Sequence, residues 1–121
     1  MKDLNHPNLV NYIECYFVNN DLWLVMEYLD FGSLTDIVTK FDGLGEESIA
    51  TMSKEMLSGI GYLHKNKIIH RDIKSDNVLV GLDGTIKLGD FGYCAYITKP
   101  NDKRSTCNNI FCYLFVLSNF D

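Results

Sequence analysis

The 121-residue sequence predicts an α+β fold. Three observations indicate it. Two pairs of β-prone segments are each joined by turn residues, at 19–21 and at Asp83-Gly84. The stretch 46–65 has apolar residues at three- and four-residue spacing, which is typical of an amphipathic helix. A segment dense in charged side chains, 70–77, lies between this helix and the second hairpin.

Composition sets the broad class. The length allows at most one ordinary domain with a modest core. A hydrophobic fraction of 46% and a charged fraction of 22% are typical of soluble globular proteins. The formal net charge of −5 gives no bulk attraction to nucleic acid or to a membrane surface. The longest apolar run, 110–117, is too short to span a bilayer, so we expect no membrane span.

The four cysteines form no CxxC pair, and no secretory signal precedes them. They are predicted to be reduced thiols in a cytoplasmic protein. A metal site on Cys107 and Cys112 is disfavoured because their spacing matches no zinc pattern.

The first elements are predicted to be a hairpin and two helices. Leu9–Val18 is rich in β-formers, and the apolar run Leu22–Tyr28 predicts a second strand that is buried on both faces. Ser33 is an N-cap candidate, and Asp36 completes a capping box for a short helix, 34–40. A second helix is expected from Glu46 to about Lys65, with an apolar stripe of Ile49, Met52, Met56, Ile60 and Leu63.

The second half is predicted to hold short strands and a loop. Ile68-Ile69 is expected to be a buried strand that leads into the central segment. Strands 78–80 and 86–88 flank Asp83-Gly84, a dipeptide that favours a primed hairpin turn. The polar segment 93–106 is expected to be a mobile loop.

The central stretch carries the chemistry. His70-Arg71-Asp72 is followed, after four intervening residues, by Asn77, and Asp90-Phe91-Gly92 comes shortly after. Such a cluster is costly to bury unless Mg²⁺ and a phosphate lie between the groups. Asp72 is the candidate catalytic carboxylate for a hydroxyl nucleophile, and Lys74 is a point charge for a transferring phosphate. Asn77 and Asp90 offer the oxygen ligands that Mg²⁺ prefers.

Each residue also has an ordinary structural interpretation. Taken alone, Asp72 and Asp90 would be solvated loop acids, and His70 would be a structural histidine. Only their joint spacing favours a site, because it is the signature set of protein kinases. Asp76 keeps a structural assignment. Arg71 suits pairing with a phosphorylated residue in the following loop.

The longer motifs resemble one family. They are H-P-N-L-V-N-Y, L-W-L-V-M-E-Y-L, H-R-D-I-K-S-D-N-V-L-V-G and K-L-G-D-F-G-Y-C-A. Together they resemble the eukaryotic serine/threonine kinases of the PAK family over residues 1–106. The resemblance implies a partial protein-kinase-like fold with the end of the N-lobe sheet, a hinge near 27–32, the first C-lobe helices, a catalytic loop at 70–77 and an activation loop from 90. Residues 107–121 resemble nothing in the family.

The resemblance also implies ligands and partners. ATP and Mg²⁺ are the implied cofactors, and Met26 is the implied gatekeeper of the adenine pocket. The backbone of Glu27 and Leu29 would bond adenine, and Leu79 would form the pocket floor. Thr106 matches an activation-loop phosphorylation site, whose phosphate would meet Arg71. The implied partners are protein substrates with Ser or Thr, and Rho-type GTPases acting through regions outside this chain.

The sequence departs from the family in two respects. It contains no G-x-G-x-x-G loop, and the lysine and glutamate of the family's ion pair precede the position that Met1 matches. Two interpretations therefore stay open. One is an ATP-dependent protein serine/threonine kinase represented by a truncated catalytic domain. The other is a non-catalytic kinase fragment, a splice or gene-model product that acts at most as a binding module.

Overall fold

A computed structural model describes residues 4–97. The predictions for Thr106, for Cys107 and Cys112 and for residues 107–121 lie outside this range. Two α-helices are described, α1 (Leu34–Phe41) and α2 (Glu46–Lys65). The strands in the same range are β1 (Tyr12–Val18), β2 (Asp21–Met26), β3 (Gly32–Ser33), β4 (Ile68–Ile69), β5 (Val78–Val80), β6 (Ile86–Leu88) and β7 (Ala95–Tyr96).

The strands form three small antiparallel sheets. β1 and β2 make the predicted hairpin, in which Val18 pairs with Asp21 and Tyr12 pairs with Met26. β5 lies between β3 and β6 in a three-stranded sheet, and β4 pairs with β7. The predicted second hairpin is thus confirmed, and it also receives Gly32-Ser33 as a third strand.

The predicted burial of the second strand is wrong. Every residue of β2 is exposed, and Trp23 keeps 63% of its accessible surface. Phe17, on β1, keeps 71%. An apolar run shows that side chains are suited to burial, but burial on both faces also requires a layer on each side. Residues 4–97 provide no such layers for this hairpin.

The core lies where α2 meets β4, β5 and β6. Its buried members share these elements and the segment before β1; they are Leu9, Val10, Ile60, Leu63, Ile68, Val78, Ile86, Leu88 and Phe91. Met52 and Met56 pack against this cluster, as the stripe predicted. Ile49 does not, since 50% of its surface is exposed. It lies in the first turn of α2, whereas the fully buried residues of the helix are all between 59 and 63.

The capping box at the start of α1 is confirmed. The Ser33 hydroxyl accepts a hydrogen bond from the Asp36 backbone N–H at 3.2 Å. The Asp36 carboxylate accepts one from the Ser33 N–H at 3.0 Å. These bonds satisfy backbone donors that the first turn of a helix leaves without partners, and they fix the chain direction between β3 and α1.

The turn between β5 and β6 is not the primed type. A type I′ turn needs positive φ at both central residues, but Gly84 alone among residues 81–85 has it, with φ +86°. The Gly84 N–H bonds the Gly81 carbonyl at 3.0 Å, and the Gly81 N–H bonds the Thr85 carbonyl at 2.8 Å. The connection is a five-residue loop, in which Gly84 of the Asp83-Gly84 pair adopts the left-handed backbone conformation.

The segment after Tyr93 is more ordered than predicted. Ala95 pairs with Ile69, and the Ile97 N–H bonds the Lys67 carbonyl at 2.8 Å. The prediction of a loop is therefore wrong for residues 95–96, which form a strand. The residues beyond 97 lie outside the described range. In residues 4–97 the helices are too short or too polar to cross a membrane.

Candidate active site

The predicted catalytic loop connects β4 to β5. Residues 70–74 are irregular, and Ser75–Asn77 form a short 3₁₀ turn that leads directly into β5. Arg71 has a left-handed backbone, with φ 69°. A non-glycine residue in this region carries strain that the surrounding contacts must offset, and such strain is common at functional sites.

Asp72 is the centre of a small polar network. Its carboxylate is 3.2 Å from the Lys74 ammonium nitrogen and accepts a 2.9 Å hydrogen bond from Asn77 Nδ2. The same Nδ2 donates to the Asp72 carbonyl at 2.8 Å. The hydrogen bond from Lys74, helped by Asn77, lowers the pKa of Asp72, and the bond to Asp72 raises the pKa of Lys74. Asp72 is therefore ionised at neutral pH, as an acceptor for a hydroxyl proton must be.

Asn77 and Asp90 are joined through one backbone bond. Asn77 is 7% exposed, and its carbonyl accepts from the Gly89 N–H at 2.8 Å. Gly89 precedes Asp90, whose left-handed backbone (φ 53°) starts the 3₁₀ turn Phe91–Tyr93. The Asp90 Oδ1 accepts from the Gly92 N–H at 3.2 Å. The sequence predicted that these two residues act together, and the strand edge brings them to neighbouring positions.

The donor set of this pair fits Mg²⁺. Both hydrogen bonds of the Asn77 amide use Nδ2, which leaves Oδ1 as its oxygen ligand. The Asp90 carboxylate accepts a bond at Oδ1 and so keeps Oδ2. Within residues 4–97 there is no group of three or more His, Cys, Asp or Glu suited to a metal. Two protein oxygens do not make a closed cage, so a Mg²⁺ ion at this position would complete its coordination with phosphate or water oxygens.

His70 connects the catalytic loop to the Asp-Phe-Gly segment. It is 1% exposed, and its Nε2 is 2.9 Å from the Gly89 carbonyl oxygen. Its Nδ1 accepts from the Asp72 backbone N–H at 3.3 Å. The ring also meets Phe91 edge-on, with centroids 5.4 Å apart. Because a carbonyl only accepts and an N–H only donates, these contacts require the neutral ring with its hydrogen on Nε2. Burial lowers the pKa of His70 accordingly.

The residues predicted for the adenine pocket lie around the segment 27–31, which we call the hinge. Met26 ends β2, and the Glu27 N–H donates to the Asn11 carbonyl at 3.0 Å. Leu29 and Leu79 are both half-buried and pack against the core. A cavity of about 410 Å³ lies between the hinge and the β5–β6 loop; it is lined by Glu27, Tyr28, Leu29, Asp30, Gly81, Asp83, Thr85 and Lys87. None of the catalytic-loop residues lines this cavity.

Arg71 is predicted to receive the phosphate of Thr106, which lies outside the described residues. Within them, Arg71 Nε donates to the Tyr93 carbonyl at 2.5 Å. This bond attaches the catalytic loop to the segment that follows Gly92. The arginine is thus already directed at the start of the predicted activation loop.

Two contacts were missed by sequence reasoning. The Thr35 hydroxyl donates to Ser75 Oγ at 2.8 Å, which connects α1 to the catalytic loop. Lys87 forms an ion pair with Glu27 across 60 residues of sequence. A charged residue in the middle of a three-residue apolar strand, Ile86-Lys87-Leu88, was the available signal for this pair. The Ser75 contact had no signal in the sequence.

Comparisons with known proteins show the family of the chain. The family model "Protein kinase domain" matches residues 1–112, so the chain belongs to the protein kinase family. The similar relatives are PAK and Ste20 serine/threonine kinases. Serine/threonine-protein kinase PAK 1 of Mus musculus is 53% identical over 106 residues, which are 88% of this chain and 19% of the mouse protein. Serine/threonine-protein kinase ste20 of Aspergillus oryzae is also 53% identical over 106 residues, which are 12% of that protein.

Proposed function

We propose that this chain carries the catalytic centre of a PAK-like serine/threonine kinase, which transfers the γ-phosphoryl group of ATP to Ser or Thr hydroxyls of proteins. The observation that carries the proposal is the bonded network of Asp72, Lys74 and Asn77, joined through Gly89 to Asp90. Phosphoryl transfer needs little covalent chemistry from the protein; it needs positioned charges and an acceptor for the hydroxyl proton.

Each residue has one task in this proposal. The Asp72 carboxylate accepts the hydrogen of the substrate hydroxyl and directs its oxygen to phosphorus. Lys74, whose ammonium nitrogen is 3.2 Å from the Asp72 carboxylate, neutralises charge at the phosphoryl oxygens. Asn77 Oδ1 and the Asp90 carboxylate hold Mg²⁺, which when bound offsets the phosphate charge. Asn77 Nδ2 also donates to the Asp72 carboxylate. One side-chain amide therefore orients the proton acceptor and supplies an oxygen to Mg²⁺.

The remaining sites extend the proposal. Met26 borders the adenine pocket, the backbone of Glu27 and Leu29 bonds adenine, and Leu79 forms its floor. Phosphorylation of Thr106 would give Arg71 an anionic partner and order the activation loop. The substrates are proteins with Ser or Thr, and regulation by Rho-type GTPases would act through parts of the protein beyond this chain. The proposed location is cytoplasmic.

Phosphoryl transfer from γ-labelled ATP to a basic protein substrate tests the proposal. The wild-type chain is expected to transfer label, and D72N is expected to lose roughly 10²- to 10⁴-fold, because it lacks the proton acceptor. D76N is the matched control, since Asp76 is exposed and four residues away in the same loop. Transfer by D72N at the wild-type rate, or no transfer by the wild type, contradicts the proposal.

The second candidate is a non-catalytic binding module. The exposed apolar side chains of the β1–β2 hairpin favour it, because a patch of this kind marks an interaction surface. Phe17, Leu22 and Trp23 each expose more than 60% of their surface. This candidate predicts equal, background-level transfer by the wild type and D72N in the same assay.

A further inference from the structure

The hinge is attached to the β5–β6 hairpin at both of its ends. At the first end, Lys87 Nζ donates to both carboxylate oxygens of Glu27, each at 2.8 Å. At the second end, the Asp30 carboxylate accepts from the Leu82 N–H at 2.8 Å. The Phe31 N–H donates to the Val80 carbonyl at 3.0 Å. The hairpin therefore holds the hinge at both ends.

The Glu27–Lys87 pair is shielded from water. The side chain of Lys87 is 15% exposed and that of Glu27 is 28% exposed, in contrast to Lys74, which is 46% exposed in its pair with Asp72. The loss of one partner from a shielded pair leaves the other charge poorly solvated, so the remaining side chain must move toward water. An exposed pair has no such requirement.

Glu27 also carries contacts to the segment before β1. Its Oε1 accepts from the Asn11 N–H at 2.6 Å, and its own N–H donates to the Asn11 carbonyl at 3.0 Å. Both the side chain and the backbone N–H of Glu27 thus bond the Asn11 backbone, so movement of the Glu27 side chain disturbs the pairing of residues 11 and 27. Lys87 restrains the Glu27 side chain, because its ammonium group is the ion-pair partner of the Glu27 carboxylate.

We propose that Lys87 is a positioning residue for adenine recognition. Its ion pair with Glu27 holds the hinge backbone in the conformation that bonds the adenine ring. Lys87 is also directly opposite Leu79 in the β5–β6 register, and opposite residues of antiparallel strands project to the same face. Lys87 thus fixes the position of the hinge relative to Leu79, the predicted floor of the adenine pocket. The gain is preorganisation: a hinge already held in place loses less conformational freedom when the ring binds.

This inference rests on the proposed nucleotide site, so its test separates adenine binding from phosphate binding. Titration calorimetry of K87M is expected to show Mg-ATP bound about fivefold to tenfold more weakly than by the wild type. Binding of Mg-tripolyphosphate, which lacks adenine, is expected to stay within about twofold of wild type. K87R should recover most of the loss because it keeps the cation. K54M, at an exposed position of α2, is the matched control.

Equal weakening of Mg-ATP and Mg-tripolyphosphate, or an unchanged Mg-ATP affinity in K87M, would overturn the assignment. If K87M does not fold, E27Q replaces it. That variant keeps one acceptor oxygen for the Asn11 N–H, and it removes both the negative charge and the second acceptor opposite Lys87.

A ligand-free measurement separates this inference from the proposed function. Hydrogen exchange of the unliganded chain is expected to be faster in K87M at the amides of Glu27 and Phe31, and unchanged in the second half of α2. If the wild-type chain binds no nucleotide, the proposed nucleotide site is refuted. The exchange data still decide whether Lys87 holds the hinge in place. Unchanged exchange at both hinge amides would show that the ion pair does not hold the hinge.

Discussion

His70 shows at the residue scale how the site restricts protonation. Its two ring nitrogens have different partners, a carbonyl and an N–H, and both contacts are satisfied only by the neutral ring. Protonation would direct an N–H at the Asp72 N–H and place a charge beside Phe91 in a buried position. His70 is therefore a titratable residue that connects the predicted catalytic loop to the Asp-Phe-Gly segment.

The stability of the chain should fall with acid because of this histidine. Its folded pKa is lowered below the ordinary 6.5, so the unfolded chain binds the proton first as pH drops. The free energy of unfolding from urea titrations should decrease from pH 7.5 to pH 5 by up to about 2 kcal/mol.

The control must separate two histidines. Burial also lowers the pKa of His64, so H64Q should keep only the share that His70 contributes. H70F should lose that share while it retains a ring against Phe91. A stability of H64Q that is equal at both pH values would refute the assignment to His70.

The helix α2 shows at the element scale what periodicity predicts and what it misses. The sequence predicted its bounds and the stripe that packs on the core, because apolar spacing reports which face is apolar. In the sequence, Gly59 and Gly61 are equivalent, because a glycine inside a helix costs about 1 kcal/mol relative to alanine at either position. The structure separates them. A Cβ on Gly59 would lie 2.9 Å from the Asn8 carbonyl oxygen, whereas a Cβ on Gly61 would meet nothing within 4 Å.

These two glycines should respond oppositely to the same substitution. G61A should raise the free energy of unfolding by about 0.5–1 kcal/mol, because alanine favours the helix. G59A should lower it by about 1 kcal/mol or more, since overpacking against backbone outweighs the helix preference. Urea unfolding monitored by circular dichroism gives both values, and each variant serves as the control for the other. The same sign for both variants would contradict this account of the α2 packing.

Local signals predicted most of the elements, and tertiary context explains the failures. The capping box at Ser33 and the β5–β6 pairing follow from neighbours in sequence, and both are confirmed. The burial of β2 could not be predicted, because it depends on layers that residues 4–97 do not contain. The Glu27–Lys87 pair joins positions 60 residues apart, which no local pattern reports. At the candidate site, the motif spacing indicated which residues act together, and Gly89 proved to be the connection between them.

At the scale of the whole molecule, the chain spans 19% of the mouse PAK 1 sequence that it matches, yet residues 4–97 assemble a connected site. The core of α2 and the second hairpin supports both the catalytic loop and Asp90. The β1–β2 hairpin contacts this core through Tyr12, and its other apolar side chains are exposed. The candidate site and the core thus form one unit, and the proposed Mg²⁺ site uses only residues of this unit.

The Mg²⁺ dependence of ATP binding decides whether residues 4–97 hold a Mg²⁺ site. By titration calorimetry, the wild-type chain should bind ATP at least about tenfold more tightly with Mg²⁺ than with EDTA, because Asn77 and Asp90 are the proposed metal ligands. D90N should lose this difference, and D76N should keep it. Equal ATP affinity with and without Mg²⁺ in the wild type, or a full Mg²⁺ effect in D90N, would contradict the account.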